Sequence, residues 1–294
     1  MSEEQRNRSE GWKYAKRSGH NNEDLVLSDV KNNRELQQRI LRLAHAEGEE
    51  IEDIVVGGMN EQSVPSVLDG MTKSKADLTF FLKNNRRIGV SIKKSLAGQV
   101  YLISPSRFID GFERQFNLKI PPNVKRAIEL FWGTAPDTIE IVEEYGTENI
   151  DYELRKHRLT GDTLQSYDEE LYEELLDWFE DNMIAVFEFC FSKGLASNPD
   201  NWAELVWYKN ELGETNIDAM FNVADVENHI SKEAEYGPRT GGSTIKLPFG
   251  FVQWHSPRKT VPGDMQFHHS YEDLIKDIEE YVDFVTPNEQ EGNG

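Results

Sequence analysis

Asp77, Ser91 and Lys93 have residue types and a spacing suited to work on a phosphate ester. Asp77 closes a polar loop and opens an apolar run (Asp77 to Leu82), while Ser91 and Lys93 alternate on the next run (Ile88 to Ile92 and onward), with Ile92 turned to the opposite face. If the two runs pair, three polar side chains converge on one edge of a sheet. Phosphodiester hydrolysis uses such a set: a carboxylate to hold Mg²⁺, a cation to orient water and offset developing charge, and a backbone carbonyl as a further hard ligand. Asp77, Lys93 and the Ile92 carbonyl would fill these places. A lysine between apolar neighbours in a short strand is costly unless it is paired, which makes Lys93 hard to explain as a structural residue.

The elements that must position this set are legible in outline. The polar connection Lys83-Asn84-Asn85-Arg86-Arg87 predicts an antiparallel hairpin between the two runs. Asn33 to Ala46 predicts an amphipathic helix, with Leu36, Ile40, Leu43 and Ala44 on one face and Gly48 beyond it; Glu23 falls in a shorter helical segment upstream. A strand is expected at Gln99 to Ile103, then helices at Ser106 to Phe116 and Asn123 to Trp132. Further on, the patterning predicts one long helix over Tyr167 to Phe191, a strand at Ala203 to Tyr208, mostly helix over Ile217 to Ile230, a strand pair over Ser243 to His255, and a closing helix over Tyr271 to Phe284. The expectation is an α/β fold with a central mixed sheet and flanking helices, one body over 11–286 between loose ends at 1–10 and 287–294.

The net charge of −21 argues against a uniformly DNA-binding surface, but the charge is segregated. Residues 73–126 carry 12 basic against 3 acidic side chains, whereas 137–191 carry 17 acids. A second stretch, Gly237 to Gly263, contains Arg239, Lys246, Arg258 and Lys259 and no acid. These, with Gln253, are candidate donors to phosphates and base edges, and the two basic stretches are expected to line one cleft. A single cysteine, Cys190, fits a reducing cytoplasm, and no apolar run approaches the ~20 residues that span a bilayer, so no membrane partner is expected.

Lys75-Ala76-Asp77 followed by Gly89-Val90-Ser91-Ile92-Lys93-Lys94-Ser95 resembles the split motif of the PD-(D/E)XK nuclease superfamily, over roughly residues 11–133. Two positions depart from the pattern: Ser91 stands where that superfamily usually has Asp or Glu, and Ala76 where it has proline. The resemblance implies a glutamate presented by a helix before the hairpin, which makes Glu23 a candidate catalytic and metal-binding residue to supply the missing carboxylate. The Gly19-His20-Asn21-Asn22-Glu23 spacing, and the run through Lys94 to Gln99, are similar to type II restriction endonucleases, which makes Lys94 and Gln99 further candidate DNA contacts. What this implies is a restriction-endonuclease-like core at about 11–133. Residues 134–286 would be additions suited to DNA recognition, Mg²⁺ the cofactor and double-stranded DNA the partner, with a homodimer left open. The competing reading is a non-catalytic acidic protein that mimics DNA or binds a basic partner, for which the acids of 137–191 speak.

His255, His268 and His269 lack metal-ligand spacing, and Gly241-Gly242-Ser243-Thr244 reads as a turn before a strand, not a phosphate loop. The Trp178 and Phe179 pair reads as core.

Overall fold

The computed structural model describes residues 22–56, 63–95, 97–146, 157–210, 217–230, 239–255 and 263–284. Helix α1 covers 22–32 and α2 Arg34–Leu43, the latter started by Asn33, whose side chain accepts the Leu36 N–H at 3.1 Å. The strands that follow are β1 (Ile51–Val56), β2 (Ser63–Pro65), β3 (Met71–Lys73), β4 (Leu78–Leu82), β5 (Arg87–Lys93) and β6 (Ala97–Ile103). Five helices come next: α3 (Pro105–Phe116), α4 (Pro122–Phe131), α5 (Thr138–Tyr145), α6 (Gly161–Tyr167) and α7 (Glu169–Asp181). After α8 (Met183–Glu188) come β7 (Leu205–Lys209), β8 (Asp218–Asn222), α9 (Val223–Ile230), β9 (Arg239–Thr240), β10 (Thr244–Leu247), β11 (Gly250–His255), β12 (Asp264–Ser270), α10 (Tyr271–Asp277) and β13 (Asp283–Phe284).

The fold is α/β. A central mixed sheet runs β1-β4-β5-β7-β8-β13, with β5 and β7 parallel and the remaining pairs antiparallel; a second, antiparallel sheet runs β6-β12-β11-β10-β9. Strands from beyond residue 133 thus complete the sheet that the hairpin begins. Alternation along the strands divides the core into two layers. Leu78, Phe80, Val90, Ile92, Leu205 and Trp207 face α1 and α2, meeting Val26, Val30 and Ile40. Val206, Tyr208 and Phe221 face the other way, into a larger core shared with α3 to α10 and with the inner face of the second sheet, where Val252, Met265 and Phe267 lie. Trp178 and Phe179 belong to that core.

Three expected helices differ in the structure. The long one over Tyr167 to Phe191 is divided, because Asp168 leaves helical geometry to cap α7, accepting the Leu171 N–H at 3.1 Å. It breaks again at Asn182 and ends in a π-helical turn, Phe189–Lys193, closed by Gly194 at φ 52°. The Ile217 to Ile230 segment begins as β8, since pairing with β7 in the sheet centre outweighs helical periodicity, and becomes helical only after Asn222 caps Ala224 at 2.9 Å. The closing helix stops at Asp277; a 3₁₀ turn follows and β13 returns to pair with β8, anchored by Arg39, which bonds Asp218 and, at 2.7 Å, the Asp283 carbonyl.

Candidate functional site

The hairpin register creates the site. Leu78 pairs with Val90 and Thr79 with Gly89, which sets Asp77 across from Ser91; the Asp77 N–H donates to the Val90 carbonyl at 2.9 Å. The turn that fixes this register holds Asn85 at φ 68°, a conformation asparagine tolerates. Gly89 is required by close approach, since a Cβ there would lie 2.1 Å from the Trp202 carbonyl, in the segment that leads into β7.

Asp77 accepts at Oδ2 from the Ile92 N–H (2.7 Å) and from the Ser91 hydroxyl (3.3 Å). Lys93 Nζ in turn lies 2.6 Å from Ser91 Oγ. Ser91 therefore bridges the carboxylate and the ammonium, which explains how a lysine is accommodated at the end of a buried strand. Burial raises the Asp77 carboxyl above the usual range, opposed by Lys93, the Ile92 N–H, Ser91 and Lys75. Burial lowers Lys93, while Asp77 and Glu23 hold it up. The α1 glutamate thus sits near enough to act on the lysine's charge.

A cavity of about 550 Å³ opens in front of these groups, with Lys73, Lys75 and Arg107 joining Lys93 on its wall, against Asp77 and Asp264. Lys75, the first residue of the Lys75-Ala76-Asp77 motif, is a site residue that its sequence position alone does not reveal. Its ammonium donates to the Cys190 carbonyl in the π turn at 2.5 Å and lies 3.7 Å from the centre of the Tyr101 ring. Burial first, and the Lys93 charge second, push it down to about 7. His269 is a second omission: it is buried on β12, bonds the Tyr208 hydroxyl at 2.9 Å, and is pushed down to about 3 by burial and then by Lys93. Its alternation with Phe267 is a sequence signal for an inner face, but nothing in the sequence sets that face beside Lys93.

Among the described residues no group of three or more His, Cys, Asp or Glu side chains could hold a metal unaided. Asp77 can still contribute, because both of its hydrogen bonds fall on Oδ2 and leave Oδ1 for another ligand. A hard cation that retains water and takes substrate oxygens fits one carboxylate, the Ile92 carbonyl and a nearby glutamate.

The candidate DNA contacts fall elsewhere. Gln99, Arg239, Lys246 and Gln253 all lie on the second sheet, and Lys94 just past the end of β5. Arg258 and Lys259 lie outside the described residues, as do Gly19 and His20. The two basic stretches do not line one cleft: residues of 73–126 border the cavity at Asp77, and residues of 239–253 border a separate one of about 620 Å³. Much of the first stretch is also neutralised within the protein, Lys83 by Glu50, Arg86 by Glu204, Arg114 by Asp69, Lys119 and Lys125 by Glu113, and Arg126 by Asp137. Sequence charge overstated its role because four of the five acids that answer it, Glu50, Asp69, Asp137 and Glu204, lie outside the stretch.

No family model matches the chain, and no curated protein matches it. Among solved structures, the chain is similar to restriction endonuclease MspI in complex with its cognate DNA, at a TM-score of 0.48 and 12% sequence identity, over 82% of this chain and 83% of that one. The likeness is a loose one of overall course, and the functional reading stands on the residues. No helix among the described residues is long and apolar enough to cross a membrane.

Proposed function

We propose that the chain is a Mg²⁺-dependent endonuclease that hydrolyses phosphodiester bonds in duplex DNA at a specific short sequence, in the manner of a type II restriction enzyme. The observation that carries this reading is the Asp77–Ser91–Lys93 chain of contacts at the wall of a cavity rich in cations. Asp77, the Ile92 carbonyl and Glu23 are the groups that would hold Mg²⁺, which when bound would polarise the scissile phosphate and lower the pKa of a water. Ser91 fixes the Lys93 ammonium, so that its remaining protons can be offered to a phosphate oxygen or to the attacking water. Arg107 adds positive potential along the path of the backbone, and Lys75 does so while it holds its proton. Lys94, just past the end of β5, would meet a flanking phosphate, and the cations of the second sheet would meet the DNA beyond the cleft.

Incubating the purified protein with supercoiled plasmid and Mg²⁺ tests this. Discrete linear fragments that EDTA abolishes are expected. A plasmid left intact with Mg²⁺ overturns the proposal and leaves the acidic-mimic reading, which binding to a basic protein such as a histone would then examine.

A further inference from the structure

The outward face of the second sheet is a patterned surface in a chain of net charge −21. Its alternation is regular: on β12, Met265, Phe267 and His269 point into the core, so Gln266 and His268 point out. Register then sets two rows across the strands. Lys246 pairs with Arg239 on one side and Phe251 on the other, Phe251 with His268, and His268 with Gln99. The second row runs Thr244, Gln253, Gln266 and Leu102. Asp264, at the end of β12, is the only acid among the residues of these five strands, although Asp273 and Asp277 of α10 border the cavity at one margin.

The amides are linked. Gln266 Nε2 donates to Gln99 Oε1 at 2.8 Å, and Gln253 Nε2 donates to Gln266 Oε1 at 3.0 Å while lying 3.2 Å from His268 Nε2. Phe251 stacks on His268, ring centres 4.6 Å apart and 11° from parallel. A glutamine amide has two donors and two lone pairs. After these bonds, Gln266 keeps a donor and an acceptor that are held in place by its neighbours and not yet used.

We propose that this face reads base edges in the major groove of duplex DNA, with Gln266 as the specificity-determining residue, Gln253 as the residue that positions it, and A·T as the base pair it selects. A carboxamide presenting one donor and one acceptor matches adenine N7 and N6, and the Phe251 ring beside it suits the thymine methyl group. β11 and β12 form a ribbon of two strands ~4.8 Å apart flanked by β6 and β10, so the sheet stays outside the groove and the side chains of its outer face reach toward the base edges. The same strand spacing puts Lys246 on β10 about 7 Å from the ribbon centre and Arg239 on β9 about 12 Å away, where the phosphates that border the groove would stand. Leu102 and Asp264 also line the cavity at Asp77, so the reading face and the catalytic cleft are continuous through β6 and β12. The proposal takes duplex DNA as ligand from the proposed function and assigns the residues that choose its sequence.

The test is selection of bound duplexes from a library with a randomised centre, with Ca²⁺ in place of Mg²⁺, so that no cleavage is needed. The wild-type chain should enrich a common motif containing A·T pairs. Gln253→Ala and Gln266→Ala should each lower preference at one such pair by about tenfold, a larger loss than in affinity for an unselected duplex. Gln266→Glu, which keeps the shape and the bond from Gln253 but removes the donor, should move the preference toward cytosine, whose N4 offers a hydrogen. Lys246→Ala should instead weaken binding to every sequence and flatten the salt dependence by about 0.9 in log–log slope. Enrichment of the same motif by the glutamine variants, enrichment of none by the wild type, or equal binding to an RNA duplex of the same sequence overturns the proposal. A plasmid cut in Mg²⁺ beside unchanged selection would leave the nuclease reading intact and remove this one. Selection altered by Gln253→Ala beside an uncut plasmid would do the reverse.

Discussion

In the central sheet Asp77, Ser91 and Lys93 line a cavity, and the ionisation of Asp77 and Lys93 is pushed off its ordinary values, whereas in the second sheet Gln99, Gln253, Gln266 and His268 lie on an outer face and bond to one another. The two arrangements use the same strand alternation for opposite ends. Enclosure strengthens electrostatic interactions and keeps charges at defined positions, which suits bond breaking. Exposure with mutual hydrogen bonding keeps donors and acceptors oriented but accessible, which suits recognition. Changes in the first sheet should therefore act on rate and changes in the second on sequence preference.

The largest effects are expected at the two ends of the buried chain of contacts. Asp77→Ala and Lys93→Ala should each lower plasmid cleavage by about 10³-fold or more while leaving duplex binding within a few-fold of the wild type. Cleavage assays beside binding isotherms measure both. Loss of binding in step with cleavage would break the division of labour between the sheets, and unchanged cleavage would remove these residues from the site.

Intermediate effects separate the two ways of replacing a carboxylate. Glu23→Gln removes the charge that supports Lys93 and would help to hold Mg²⁺, and should cost about 10- to 100-fold in rate or metal affinity. Ser91→Ala, which removes a neutral bridge, should cost about tenfold, less than either Asp77→Ala or Glu23→Gln. Titrating Mg²⁺ into each variant distinguishes them: Glu23→Gln should require more metal, and Ser91→Ala should lower the rate at saturating metal. If Glu23→Gln is silent, α1 does not complete the site.

The hairpin was legible because its signals are local: alternation, a turn rich in asparagine, and a spacing that puts Asp77 opposite Ser91. The helix from Asn33 was equally plain, since its cap and apolar stripe lie within fourteen consecutive residues. What sequence could not yield depends on contacts between distant segments. Lys75 reads as a surface lysine until the Cys190 carbonyl and the Tyr101 ring close over it, and His269 as a core histidine until β12 is laid beside Lys93. β8 has the periodicity of a helix, and only its place beside β7 makes it a strand. The Gln99–Gln266–Gln253 ladder joins residues up to 167 positions apart, a link that no local pattern displays.

The smallest effect concerns stability, and it tests how enclosed the cleft is. In the folded chain the Lys75 ammonium gives up its proton at about 7, against 10.5 for an unburied lysine. Between those values the unfolded chain binds more protons at this residue than the folded one, so stability must rise with pH across that range. Lys93 is shifted in the same direction and adds to the slope. Cys190, pushed up to about 12 from 9, opposes it only above about pH 9, so the useful window is from pH 7 to 9. Without metal, the urea midpoint of the wild-type chain should increase across this window, and that of Lys75→Met should increase less, because methionine keeps the stem and removes the titrating group. Comparing the two proteins cancels the contributions of every other ionising residue. Parallel slopes would mean that water reaches Lys75 freely, and the contrast between an enclosed catalytic sheet and an open reading sheet would lose its clearest electrostatic mark.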